Sequence, residues 1–164
     1  MEFIDDDGGH AAAGFKGIAG DCVVRAIAIA SAQPYRAVYD DLNRAIREQR
    51  VAHVSRVIAG RASKGKLREA ADSTARNGVF KSIFHPYLLT HGWRWTPTMK
   101  IGSGCKVHLR ADELPKGRLI VAVSKHLTAV IDGVIHDLND VSRDGTRCVY
   151  GYYTQEANQA IRLN

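Results

Sequence analysis

Apolar positions recur at Tyr35, Val38, Tyr39, Leu42, Ala45 and Ile46, a single stripe with the spacing of an amphipathic helix. Gln33-Pro34 precedes it and puts a proline in the first turn, where its missing N–H costs nothing. Upstream, Cys22 to Ala30 (CVVRAIAIA) is apolar almost all round, the pattern of a buried helix, and Asp21 stands in its N-cap position. Residues 8–20 are small and Gly-rich and read as a lead-in loop covering residues 1–20. The pattern further predicts a helix over about 66–76, a turn at Asn77-Gly78, and a short helix over 86–90 that stops near Gly92.

The second half changes period. Residues 93–96, 105–109, 118–124, 126–131, 134–138 and 147–153 read as strands separated by Gly, Pro, Asp-Gly and Asn-Asp. Helices come first and a mostly antiparallel sheet last, so 164 residues predict one α+β domain. The sharpest local signal is the Asp132-Gly133 turn, which as a two-residue hairpin loop pairs Ile131 with Val134. Counting back, Thr128 faces Asp137 and His126 faces Asn139. His126, Thr128 and Val130 then share a face with Ile135, Asp137 and Asn139, and His136 points the other way, to a structural role.

Composition narrows the function. No apolar run nears the ~20 residues of a membrane span, and the acidic start (Glu2, Asp5, Asp6, Asp7) is unlike a signal peptide. A cytoplasmic protein without membrane contact is expected. Three cysteines, an odd number, argue against a disulfide framework, so each thiol is read separately. Cys148 reads as core. Cys105 and His108 are spaced C-x-x-H, but two ligands do not make a zinc site, and neither a metal nor another cofactor is expected. Net charge is +6, and residues 44–76 hold all of it, with nine basic residues against three acidic ones. That stretch reads as a solvated helix face or mobile arm, or as a surface for nucleic acid or an acidic protein partner. Trp93 and Trp95 alternate onto one face, as core or as the lining of a substrate groove.

Chemistry concentrates at two places. Cys22 sits at the first turn of a helix, where unpaired N–H groups and the helix dipole favour a thiolate. His126 has polar partners on its own face, as an imidazole base requires. The Asp-Cys pair of Lys16-Gly17-Ile18-Ala19-Gly20-Asp21-Cys22, together with His126 and Asp137 in KHLTAVIDGVIHDLND, resembles the papain-like cysteine peptidases, in particular the domains that process bacteriocin leader peptides. The matched residues, 16–31 and 124–140, are about a fifth of the chain. The resemblance implies a papain-like fold with the nucleophile on the first buried helix. It implies a Cys22–His126–Asp137 triad acting on a peptide or other acyl bond, and a bacterial or phage source. Where that family has a Gln that helps hold the oxyanion, this chain has Lys16, read as a cation for the oxyanion, as a charge that raises the thiolate fraction of Cys22, or as a solvent-facing residue that leaves the oxyanion hole incomplete. Asn139 or Asp140 stands as an alternative to Asp137. Hydrolysis of a protein or peptide substrate is the leading expectation. Acyl transfer or deamidation on the same residues, and a non-catalytic basic binding module on the same scaffold, are the alternatives.

Overall fold

The computed structural model describes residues 1–17, 19–60 and 73–155. Among them are three helices, α1 (Cys22–Ser31), α2 (Tyr35–Ile58) and α3 (Lys81–Thr90). Six strands form one sheet: β1 (Glu2–Asp5), β2 (Trp93–Pro97), β3 (Arg118–Val123), β4 (His126–Ile131), β5 (Val134–Asp137) and β6 (Val149–Gln155). The strand order is β1-β5-β4-β3-β6-β2, antiparallel throughout except for the parallel pair β1–β5. The chain is therefore α+β, with the three described helices ahead of five of the six strands.

The helices follow their patterns. Val23 through Ala30 are all buried in α1, and the α2 stripe buries Tyr35, Val38, Leu42 and Ile46. Past α1, Ala32 takes a left-handed conformation (φ 54°), and the Arg118 guanidinium, from β3, donates to the last-turn carbonyls of Ile29 and Ala30. These contacts tie the helix to the sheet. In α3, Pro86 cannot donate to the Ser82 carbonyl one turn earlier. The Gln49 side-chain amide fills the gap at 2.6 Å, which holds α3 against α2.

Apolar residues divide between the two faces of the sheet. One cluster joins the three helices to Ile120, Leu127, Ala129 and Tyr153, and the other gathers Val121, Val130, Ile135 and Val149 with Leu109 and Leu114 of the long β2–β3 connection. The β4–β5 hairpin has the expected register, Ile131 opposite Val134 and Ala129 opposite His136. Asp132 and Gly133 both have positive φ (50° and 89°), as a two-residue turn of this hand requires.

Several expectations need correction. Residues 2–5 are not loop but the edge strand β1, and Asp6 N–H donates to the Asp137 carbonyl at 2.9 Å. Residues 105–109 form no strand; His108 makes one isolated bridge, to Cys148. Cys105 and Cys148 are disulfide-bonded across a separation of 43 residues, so they are neither independent thiols nor metal ligands, and Cys22 is the free cysteine. The helix over 86–90 begins five residues earlier. Residues 44–58 of the basic stretch are the second half of α2, so that part is a helix face and not an arm. The expected helix over 66–76 lies mostly outside the described residues, and its described end, 73–76, contains the Thr74–Gly78 bridge instead.

Candidate active site

Three elements converge on Cys22. It opens α1, where the first N–H groups have no partner within the helix; Arg25 N is the one that bonds back to the Asp21 carbonyl, at 3.1 Å. Helix α1 packs across β4. His126 opens β4 and Asp137 closes β5, so the hairpin brings both to the same end of the strand pair.

His126 meets a carboxylate through one ring nitrogen. Nε2 is 2.6 Å from Asp137 Oδ2, which leaves Nδ1 as the nitrogen open to serve Cys22. An Nε2–H donating to the carboxylate fixes the tautomer that offers its other nitrogen to the thiol. Burial opposes charge on all three groups, yet each charged form prevails. Burial pushes the Cys22 thiol up, but the His126 hydrogen bond, a bond from the Leu127 backbone and the positive charges of His126 and Arg25 bring it below its ordinary value. Burial likewise pulls His126 down, but Asp137 and Cys22 together raise it to about 9. Asp137 is pushed up by burial and brought below its usual range mainly by His126. All three shifts favour a thiolate–imidazolium pair with a carboxylate behind it.

Behind these residues lies a buried polar cluster. Arg25, 6% exposed, is one turn beyond Cys22 and ion-pairs with Asp21, which is fully buried. Its other guanidinium nitrogen is 3.7 Å from Asp137 Oδ1. Asp21 also accepts from Tyr35 Oη at 2.6 Å and lies 2.9 Å from His10 Nδ1. Asp21 thus occupies the N-cap position without capping, because its side chain is committed to Arg25, Tyr35 and His10.

Cys22 and His126 face a cleft of about 850 Å³. The other sequence candidates lie elsewhere. Lys16 is exposed outside the cleft wall, its carbonyl accepting from Arg76 Nη2 at 2.9 Å, so its cation is not at the oxyanion position. Asn139 is exposed, and Asp140 accepts from Ser142 N–H, so Asp137 alone of the three candidates meets His126. His136 pairs with Asp6 at 3.1 Å. Trp93 is core and Trp95 lines the cleft.

Comparison of the chain with protein-family models, with curated proteins and with solved structures finds no match. The site is therefore read from its own geometry. A thiolate beside an imidazolium, at a helix N-terminus open to a cleft, is equipped for nucleophilic attack on a carbonyl carbon and for proton delivery to a leaving group. The sequence reading passed over Arg25, although one charged residue inside the otherwise apolar run CVVRAIAIA was the available signal. A buried arginine needs carboxylate partners, and Asp21 at i−4 offered one. His10 gave no such signal.

Proposed function

We propose that the protein is a thiol-dependent acyl hydrolase of papain-like type, acting on a peptide or related acyl bond through Cys22, His126 and Asp137. The observation that carries the reading is the imidazole of His126, 2.6 Å from Asp137 through Nε2 and lining the same open cleft as Cys22. In the first step the Cys22 thiolate attacks the carbonyl carbon, a C–S bond forms, and the carbonyl electron pair moves to oxygen. The backbone N–H of Cys22 and the α1 N-terminus are the donors for that oxyanion. Collapse breaks the bond to the leaving group, which takes the His126 proton. Water then gives a proton to His126 and adds to the thioester; release of the acid restores the thiolate and imidazolium. An amine in place of water makes the same site an acyltransferase, and ammonia as leaving group makes it a deamidase.

The test is the rate of iodoacetamide labelling of Cys22 against pH, in the wild type and in His126→Ala. The reading expects fast labelling well below the free-thiol pKa of about 8.5, slowed in the variant. Slow labelling indifferent to His126 would overturn it and leave the basic face of α2, with Arg44, Arg47, Arg50 and Arg56 exposed, as the basis of a binding function for an acidic partner.

A further inference from the structure

The cleft wall is chemically lopsided. Phe80 and Tyr150 are the two aromatic rings among the described residues that stand well exposed, at 43% and 40%, and both line this cleft. Trp95 lines it too, half-buried, its ring lying on the backbone of β6 so closely that a Cβ on Gly151 would be 2.3 Å from it. The charges are equally one-sided. Among the described residues, the titratable ones that line the cleft are Cys22, Arg25, Lys81, Lys125, His126 and Tyr150, with no carboxylate among them. Arg25 and His126 are neutralised by Asp21 and Asp137 behind the wall. Lys81 and Lys125 form no ion pair among the described residues. Lys81 Nζ sits 4.4 Å from the centroid of the Trp95 ring, at the junction of the apolar and cationic parts, and Lys125 directly precedes His126.

We infer that the cleft beside Cys22 takes a peptide-like substrate presenting a large apolar, preferably aromatic, side chain to Phe80, Trp95 and Tyr150 and an adjacent carboxylate to Lys81 and Lys125. The inference rests on the reading of Cys22 as nucleophile for the meaning of "substrate", but the binding preference stands by itself. Exposed aromatic surface gains by covering an apolar group, since burial is worth about 25 cal/mol per Å². Two ammonium groups without carboxylates attract an anion and repel a cation, and a cleft with low-dielectric walls strengthens both effects. Basic or small polar side chains find no complement on this wall.

The experiment measures protection of Cys22 from iodoacetamide by four end-capped dipeptide amides, Phe-Glu, Phe-Lys, Ser-Glu and Ser-Lys. The inference expects half-protection by Phe-Glu at a concentration at least ~10-fold below that of Ser-Lys, with the two mixed peptides between. Lys81→Gln with Lys125→Gln, or added salt, erases the advantage of Glu over Lys. Phe80→Ser with Tyr150→Ser erases the advantage of Phe over Ser. All four side chains are exposed or edge positions, and circular dichroism checks that each variant remains folded. Equal protection by the four peptides, or better protection by Phe-Lys than by Phe-Glu, overturns the inference. Failure of the nucleophile reading looks different: Cys22 then labels slowly without peptide and regardless of His126, whatever the order of protection.

Discussion

Arg25→Met tests the polar cluster under the site most directly. The guanidinium is the cation between two carboxylates, Asp21 and Asp137, both at most 4% exposed. Methionine fills much of the volume but takes the guanidinium from buried Asp21 and leaves Asp137 with His126 as its counter-charge. Breaking a buried ion pair by removing one partner costs about 3–5 kcal/mol. For a chain of this size each kcal/mol moves the melting temperature by roughly 2–4 °C, so the variant should melt roughly 6–20 °C lower. The loss is within the ~5–15 kcal/mol stability of an ordinary domain, so folded protein remains to be assayed. The second effect is on Cys22. Arg25 contributes to holding the thiol below its ordinary value, and less than His126 does. Thiolate absorbance near 240 nm, followed against pH, should therefore show the thiol titrating higher in Arg25→Met, by less than in His126→Ala. Urea denaturation supplies the stability half of the measurement. A third variant, Asp21→Asn with Arg25→Met, should cost less than the sum of its parts, because it removes a charge together with its partner. If Arg25→Met unfolds at the wild-type urea midpoint and its thiol titrates unchanged, the cluster contributes nothing and the reasoning fails.

Alkylation of the folded protein without reductant should add one carbamidomethyl group, at Cys22, and three after reduction and unfolding; three before reduction would refute the Cys105–Cys148 pair. Replacing both of those cysteines by serine should cost about 4 kcal/mol on the loop-entropy model, read as a lower urea midpoint. The thiolate–imidazolium pair has a signed pH dependence. A lowered thiol contributes stability that is lost as pH falls through its folded value, and a raised imidazole contributes stability lost as pH rises through about 9. The thiol's share is therefore complete above about 8.5 and shrinks below it, and the imidazole's share is complete below about 6.5 and gone above about 9; Asp137→Asn should lower the pH at which the imidazole's share is lost, and a stability profile identical in Asp137→Asn would refute the coupling. Gly151→Ala should push the Trp95 ring off β6, costing about 1–3 kcal/mol and altering Trp fluorescence.

Local signals were the readable ones. The β4–β5 hairpin could be placed residue by residue because Asp132-Gly133 sets both the turn and the register, and the register carried His126 and Asp137 to the same end. Helix α2 was legible because its stripe faces a single core. The features missed depend on partners distant in sequence. Strand β1 is four residues long, mostly exposed, and meaningful only beside β5. The disulfide depends on the β2–β3 connection folding back to β6, which no spacing announces. Lys16 was assigned from alignment with a motif position, but the loop before Cys22 takes it to the surface. The extent of α3 was hidden by Pro86, whose cost is met by Gln49 from another helix. Arg25 was visible as an anomaly, but its connection to Asp137 is a property of the assembled fold.

The pairing of β1 with β5 has a consequence for how the protein comes into being. Glu2 lies beside Val134 and Asp5 beside Asp137, so segments about 130 residues apart in the chain pair side by side. Such long-range pairing is slow to form, because the chain entropy of the intervening segment is lost before any contact is gained. On a ribosome, which adds residues from the amino end at roughly 5–20 per second, Cys22 is made more than a hundred residues before His126 and Asp137. Until they emerge the thiol is without its base, and the order of manufacture itself keeps the unfinished chain chemically quiet.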